Sequence, residues 1–141
     1  MANNKRNGTK FENEICKILY DNDFWARPMY PAPDGSQPFD VMAINTKGEL
    51  FCIECKDCKS GRFKFDRIED NQFLMFSNLA DRMKSNRVFF AFKINNEIYL
   101  LELNGFWLYL NATNKKSFNE QEIMQISIPI EKFIKLFKGS E

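Results

Sequence analysis

Two acids and an amine are spaced in this chain so that a simple strand pairing would bring them together. Asp40 is followed, beyond the turn-forming run Asn45-Thr46-Lys47-Gly48-Glu49, by Glu54 and Lys56. If that run reverses the chain between two strands, Ile44 lies opposite Leu50, and each pair outward keeps residue numbers summing to 94. Asp40 then faces Glu54 with Cβ atoms about 5 Å apart. Lys56, two residues beyond Glu54, projects from the same face. Carboxylates so opposed repel each other and weaken the sheet unless something positive joins them. Two such oxygen donors suit Mg²⁺, a hard ion that keeps several waters. The ion can bind a scissile phosphate, neutralise developing charge and lower the pKa of a water. The ammonium can orient or activate that water and offset charge in the transition state. The chemistry that fits this set is phosphodiester hydrolysis.

An Asp followed at some distance by Glu-x-Lys is a loose pattern that needs structural context. Asp57-Cys58-Lys59 repeats its form but falls on the opposite face or in a loop. The ordinary alternative is a surface ion pair between Glu54 and Lys56, with Asp40 capping a turn. Against it, the charged cluster interrupts strands that are otherwise apolar. The chain contains no histidine, which removes Ser/His and Cys/His catalysis and His-based zinc sites together. The run Cys52-x-x-Cys55-x-x-Cys58 invites a zinc or iron–sulfur reading. On a strand, however, residues three apart point to opposite faces, so Cys52 and Cys55 cannot share an ion. Buried, reduced thiols are the expectation.

These residues need elements to hold them. From Thr9, the apolar residues Phe11, Ile15, Ile18 and Leu19 recur at helical spacing, with Glu12 beside the stripe. Thr9 and Glu12 have the spacing of a capping box, and Asp21-Asn22-Asp23 ends the helix. Residues 24–38 hold four of the five prolines and Gly35, which predicts an irregular, partly extended connection. Phe39–Ile44 and Leu50–Lys56 read as strands, and residues 57–66 as a polar, basic loop. Ile68–Met83 reads as a second helix. Val88–Ile94 and Ile98–Leu103 form a hairpin around Asn95-Asn96-Glu97. Phe106–Leu110 predicts a short strand, Ile126–Ile128 a strand or loop, and Pro129 the first turn of a helix reaching about Phe137. The order helix, strands, helix, strands, helix implies an α/β fold, a mixed sheet flanked by helices.

With 141 residues the chain fits one domain, 1–141, able to bury a core unaided. Its fifteen Phe residues predict a core rich in rings. The net charge of +1 gives no general affinity for nucleic acid, so any such binding must rest on local patches. No apolar run approaches a membrane span. The first residues lack the apolar stretch of a signal peptide, and a cytoplasmic location is expected.

The segments Gly8-Thr9-Lys10-Phe11-Glu12, Ser36-Gln37-Pro38-Phe39-Asp40 and Ile53-Glu54-Cys55-Lys56 occur in this order. Together they resemble the PD-(D/E)xK nuclease superfamily with its restriction-endonuclease-like core, and within it the RecU-type and archaeal-type Holliday junction resolvases. Phe63-Lys64-Phe65 and Ile68-Glu69-Asp70-Asn71-Gln72 are similar to the RecU-type segment after the catalytic lysine. The likeness spans about residues 5–105. It implies a metal-dependent, structure-selective endonuclease acting on DNA four-way junctions in recombination and repair, a homodimer with Mg²⁺ or Mn²⁺ in each site. Carried across by motif, Asp40, Glu54 and Lys56 match the catalytic core, and Glu12 matches the helix glutamate that joins the metal ligands. Gln72 matches a catalytic helix glutamine, and Ser36 a serine near the scissile phosphate. Two departures stand out: Asn71 replaces the family's His, and residues 24–39 lack the longer insertion of RecU-type resolvases.

Lys59, Arg62, Lys64 and Arg67 follow the active-site strand, and Lys5, Arg6 and Lys10 precede the first helix. Both sets are candidates for a phosphate-binding surface, although solvated charges are the common reading of any one of them. A restriction-like or repair nuclease on other DNA, and a non-cleaving DNA-binding module of the same fold, are the competing functions. The intact Asp40, Glu54 and Lys56 argue against the module.

Overall fold

The computed structural model describes residues 2–31, 33–34, 37, 39–58, 61–65, 70–83 and 87–139. The elements in chain order are α1 (Ala2–Tyr20), β1 (Trp25–Pro28), β2 (Val41–Ile44), β3 (Leu50–Asp57), β4 (Arg62–Lys64), α2 (Asp70–Met83), β5 (Val88–Ile94), β6 (Glu97–Glu102), α3 (Leu103–Ala112), β7 (Ser117–Asn119), α4 (Glu120–Ile126), β8 (Ile128–Pro129) and α5 (Ile130–Phe137). Six strands form one mixed sheet in the order β1-β2-β3-β5-β6-β8, and β4 and β7 pair separately as a small ribbon. Within the large sheet β3 and β5 run parallel, and every other neighbour is antiparallel. The parallel pair is central. It is buried on both faces, as near-continuous apolar runs such as Val88–Ile94 require.

One face packs against α1 and α5, and its core includes Phe11, Ile15, Leu19, Phe51, Ile53, Phe89 and Phe133. The other face carries Cys52, Phe90 and Phe92 beneath α3, α4 and the β4–β7 ribbon, joined by Phe63, Phe106 and Phe118. The abundant phenylalanines thus divide into two ring clusters with the sheet between them. On the first face Phe133 meets Phe51 edge-on at 5.6 Å and Phe89 at 5.1 Å. On the second, Phe65 meets Phe118 at 4.6 Å. Such offset and edge geometries are the ones that ring quadrupoles favour.

The β2–β3 register is the expected one: Ile44 pairs with Leu50 and Val41 with Ile53. Gly48, at φ +79°, occupies a left-handed position in the turn. The turn is held from outside as well. Asn45 Nδ2 donates to the carbonyl of Phe137 at 2.7 Å, and Thr46 Oγ1 to that of Lys138 at 3.0 Å. Arg87 pairs with Glu49 and lies over the rings of Phe51 and Phe137, at 5.1 and 5.4 Å from their centroids. In the β5–β6 turn Asn95 and Asn96 both take positive φ, as a two-residue hairpin of matching twist demands.

Several expectations fail. The first helix begins at Ala2, so Thr9 lies inside it rather than at its N-cap. The proline-rich connection is partly extended as expected, and Trp25–Pro28 forms an edge strand on β2, a position where proline is tolerated. The expected basic loop contains β4, which exists because β7 pairs with it. Phe106–Leu110 is not a strand but part of α3: Leu103 and Phe106 are buried at helical spacing while Leu108 is exposed. Its aromatic, apolar composition mimics a strand. Ile126 closes α4 and only Ile128–Pro129 pairs with the sheet. Asn119 and Glu122 form a complete capping box that starts α4.

Candidate active site

Asp40 sits at a bend one residue before β2 begins. Its N–H donates to the carbonyl of Ile53 at 3.0 Å, and its carbonyl accepts from the N–H of Met29 at 2.8 Å. Extending the β2–β3 register by one step puts Asp40 across from Glu54. The strand ladder stops there, but the side chain continues it: Asp40 Oδ2 accepts from the N–H of Cys55 at 2.8 Å. Asp40 Oδ1 accepts from Gln37 Nε2 at 2.9 Å. The carboxylate is therefore fixed from both oxygens. Gln37 had not been singled out by sequence, because its partner depends on the path of an irregular segment.

Glu54 and Lys56 lie on the face that carries Cys52, beside Phe90 and Phe92 of β5. Lys56 Nζ and Glu54 Oε2 are 3.0 Å apart, with only 12% and 7% of the two side chains exposed. An ion pair this enclosed is not the surface pair of the ordinary reading. Burial pushes the Glu54 carboxyl up to about 8, and the Asp40 charge pushes the same way, against the pull of Lys56. Glu12 reaches the group from α1. Phe11 beside it is buried, and Glu12 itself is half-buried at the border of the stripe. Burial first, then the charge of Asp40 and a hydrogen bond with it, raise Glu12 to about 7. Lys93 of β5 holds α1 in place through Glu14, at 2.7 Å.

The structure thus brings Glu12, Asp40, Glu54 and Lys56 to one end of the sheet as a chain of neighbours, Glu12 beside Asp40, Asp40 beside Glu54, and Glu54 paired with Lys56. The donor set is hard oxygen, and its carboxyls disfavour one another's ionisation, so it fits a divalent cation such as Mg²⁺ that would offset their charge. Among the described residues no three acidic or thiol side chains converge tightly enough to enclose an ion by themselves. Mg²⁺ commonly takes one or two carboxylates and fills the rest of its shell with water and substrate phosphate. Cys52 and Cys55 stand on opposite faces, in opposite core clusters. All four cysteines are free thiols, and burial raises Cys16 and Cys52 to about 11 and Cys55 well above its usual value.

Lys10 is exposed on α1, and Arg62 and Lys64 are exposed on β4. For Lys5, Arg6 and Gln72 the structure describes only the helical backbone, in α1 and α2. Ser36, Lys59 and Arg67 lie outside the described residues. Lys115 and Lys116, which sequence did not mark, are carried next to Lys64 by the β4–β7 pairing.

Comparison with known proteins gives a family, a relative and a fold match. The family model for RecU, Recombination protein U, matches residues 43–137, a span that includes Glu54, Lys56 and Gln72 and starts just after Asp40. The chain is similar to the crossover junction endodeoxyribonuclease Hjc of Methanocaldococcus jannaschii, 27% identical over 114 residues, covering 81% of this chain and 77% of that protein. Its fold matches that of Archaeoglobus fulgidus Hjc, described as a Holliday junction resolvase from an archaeal hyperthermophile. The TM-score is 0.67 at 20% identity, covering 90% of this chain and 99% of the other. The mixed sheet flanked by helices is the fold expected from sequence.

Proposed function

The chain belongs to the Recombination protein U family, and on that footing we propose that it is a metal-dependent, structure-selective DNA endonuclease that resolves four-way (Holliday) junctions by phosphodiester hydrolysis. The observation that carries the proposal is the run of neighbours Glu12, Asp40, Glu54 and Lys56 at one end of the sheet, ending in the enclosed Glu54–Lys56 pair. Its relative from Methanocaldococcus jannaschii bears the name of a crossover junction endodeoxyribonuclease.

Asp40 and Glu54 would hold Mg²⁺ or Mn²⁺, with Glu12 beside Asp40 completing the acidic set. Such an ion, when bound, neutralises phosphate charge and lowers the pKa of water. The protein's own groups do the rest. Gln37 and the Cys55 N–H keep the Asp40 carboxylate from turning away. Glu54 holds the Lys56 ammonium at 3.0 Å, which leaves its remaining protons to meet a phosphate oxygen or the attacking water. Phe90 and Phe92 exclude water from the base of the site, so each charge there acts more strongly than in bulk solvent. Gln72 would approach from α2. Lys5, Arg6, Lys10, Arg62 and Lys64, with Ser36, Lys59 and Arg67, would meet the DNA backbone. We take residues 1–141 as a single nuclease domain acting in the cytoplasm as a homodimer. Among the described residues no helix is long and apolar enough to cross a membrane.

The direct test is cleavage of a mobile-core-free four-way junction beside a linear duplex of the same sequence, with each metal in turn. Paired incisions across the junction, with Mg²⁺ or Mn²⁺ and not in excess EDTA, are expected. Ca²⁺ should allow binding with little turnover, being larger and a weaker activator of water. Equal cutting of the linear duplex would point to a restriction-like or repair nuclease, and binding without any cutting to a DNA-binding module.

A further inference from the structure

The β4–β7 ribbon has two unlike faces. Phe63 and Phe118, paired across it, are fully buried. Arg62 and Lys64 alternate with Phe63 and are exposed, and the side chains of Asn119 and Ser117 lie opposite them. Arg62 Nη1 donates to Ser117 Oγ at 3.0 Å. Beyond the last pair the ladder continues, the N–H of Phe65 donating to the carbonyl of Lys116 at 3.0 Å. This closes a cleft of about 410 Å³ lined by Lys64, Phe65, Lys115, Lys116 and Ser117. Four cations from two distant parts of the chain therefore share one small surface. Among the described residues the nearby acids are Glu122, which pairs with Lys115 and also accepts from Tyr109 and the Asn119 N–H, and Glu120 beside Gly61. Neither acid is bonded to Lys64 or Lys116.

The ribbon is also fixed relative to the acidic site. Phe63 packs edge-on against Phe92 at 5.2 Å, and Phe92 is the direct neighbour of Lys56 across the β3–β5 pair. The cationic face is thus mounted on the same end and the same face of the sheet as Glu54 and Lys56.

We propose that the outer face of the β4–β7 ribbon, through Lys64 and Lys116 with Arg62 and Lys115 flanking them, is a phosphate-backbone contact for the duplex arm that enters the acidic site. This rests on the nuclease reading and extends it to residues of the C-terminal part of the chain. Arg62 and Lys64 stand roughly 7 Å apart, two strand residues at about 3.4 Å each, a fixed rather than wandering spacing of charge. Such contacts set the position of the DNA without reading its sequence.

The test is the salt dependence of binding, followed by fluorescence anisotropy of a labelled junction and a labelled duplex in EDTA, so that the DNA stays whole. For the Lys64→Gln/Lys116→Gln double variant, the slope of log affinity against log salt should become shallower by about 2, since each lost phosphate contact removes about 0.9. Affinity near 0.15 M salt should fall on the order of tenfold, and equally for different sequences. Lys132 and Lys135, exposed on α5, provide the control, and Lys132→Gln/Lys135→Gln should keep the slope of the parent. An unchanged slope in the ribbon variant, or an equal change in the control, overturns the ribbon contact. Wild-type protein that cuts junctions with the ribbon variant unchanged refutes this inference alone. Wild-type protein that binds but never cuts refutes the nuclease reading, with the ribbon still judged by its slope. Wild-type protein that binds neither DNA refutes both.

Discussion

The Glu54 carboxyl lies almost out of reach of water, with the Asp40 carboxyl across from it and the Lys56 ammonium beside it. Asp40→Asn and Glu54→Gln should each abolish cleavage, by at least about a thousandfold if a metal-holding carboxylate is worth the several kcal/mol typical of such sites. The fold should survive, because removing one member of a repelling pair relieves strain; without metal, Tm should hold or rise. A variant that still cuts at the wild-type rate would displace the assignment. The raised carboxyls also set a pH dependence. Their folded values, about 8 for Glu54 and about 7 for Glu12, lie above the usual 4.5. The folded protein therefore binds more protons than the unfolded chain between those limits, and metal-free stability should fall as pH rises from about 4.5 to about 8. A thermal-melt series across pH 5–9 in EDTA checks this, and Glu54→Gln should flatten it. At this scale Asp40, Glu54 and Lys56 were legible because one turn and a period of two fix who faces whom. Glu12 entered through resemblance alone, and its supposed capping partner Thr9 turned out to lie within the helix. Gln37 was invisible because nothing periodic determines where an irregular segment places an amide.

Elements were legible where one signal acted alone and illegible where two competed. The β2–β3 and β5–β6 hairpins follow from alternation and turn residues. Within α3, composition suggested a strand while the spacing of Leu103 and Phe106 fitted a helix, and packing on β5 and β6 decided the outcome. The ribbon could not be foreseen, since Arg62–Lys64 is a strand only because Ser117–Asn119 lies beside it. α4 had a local signal in Asn119 and Glu122, and its cap is testable: Asn119→Ala should cost about 1 kcal/mol in urea unfolding at pH 7. The Glu122 carboxyl is held down to about 2 by Lys115, the Asn119 N–H and Tyr109. Its stabilisation is complete above the usual 4.5 and is lost as pH falls towards 2, so the cost of Glu122→Gln should shrink in acid. Strand alternation makes a further claim. Cys52 and Cys55 face opposite ways, so protein purified without chelator should contain no stoichiometric zinc or iron. Cys52→Ala should lose packing and not metal chemistry. Stoichiometric zinc or iron that disappears when Cys52 and Cys58 are replaced would overturn the strand assignment itself.

For the whole molecule, a mixed sheet flanked by helices and a core rich in rings were readable from the order of elements and the number of phenylalanines; the division of the rings between the two faces was not. Resolving a junction takes two incisions related by symmetry, and a two-fold dimer supplies two sites at a fixed distance. Light scattering should therefore give about twice the 16.7 kDa of the chain. A monomer, with and without junction DNA, would favour a nuclease of linear duplex.

The hold of Phe137 and Lys138 on the Asn45–Glu49 turn bears on when the enzyme can first exist. A ribosome delivers the hairpin long before its clamp, because Phe137 lies 92 residues beyond Asn45. Until that later segment emerges, the alignment of Asp40 with Glu54 rests on the turn, on the edge strand and on the bonds of Asp40 to Gln37, Ile53 and Cys55. The outer hold on the turn therefore forms only once Phe137 and Lys138 have been made, later than the hairpin that it steadies.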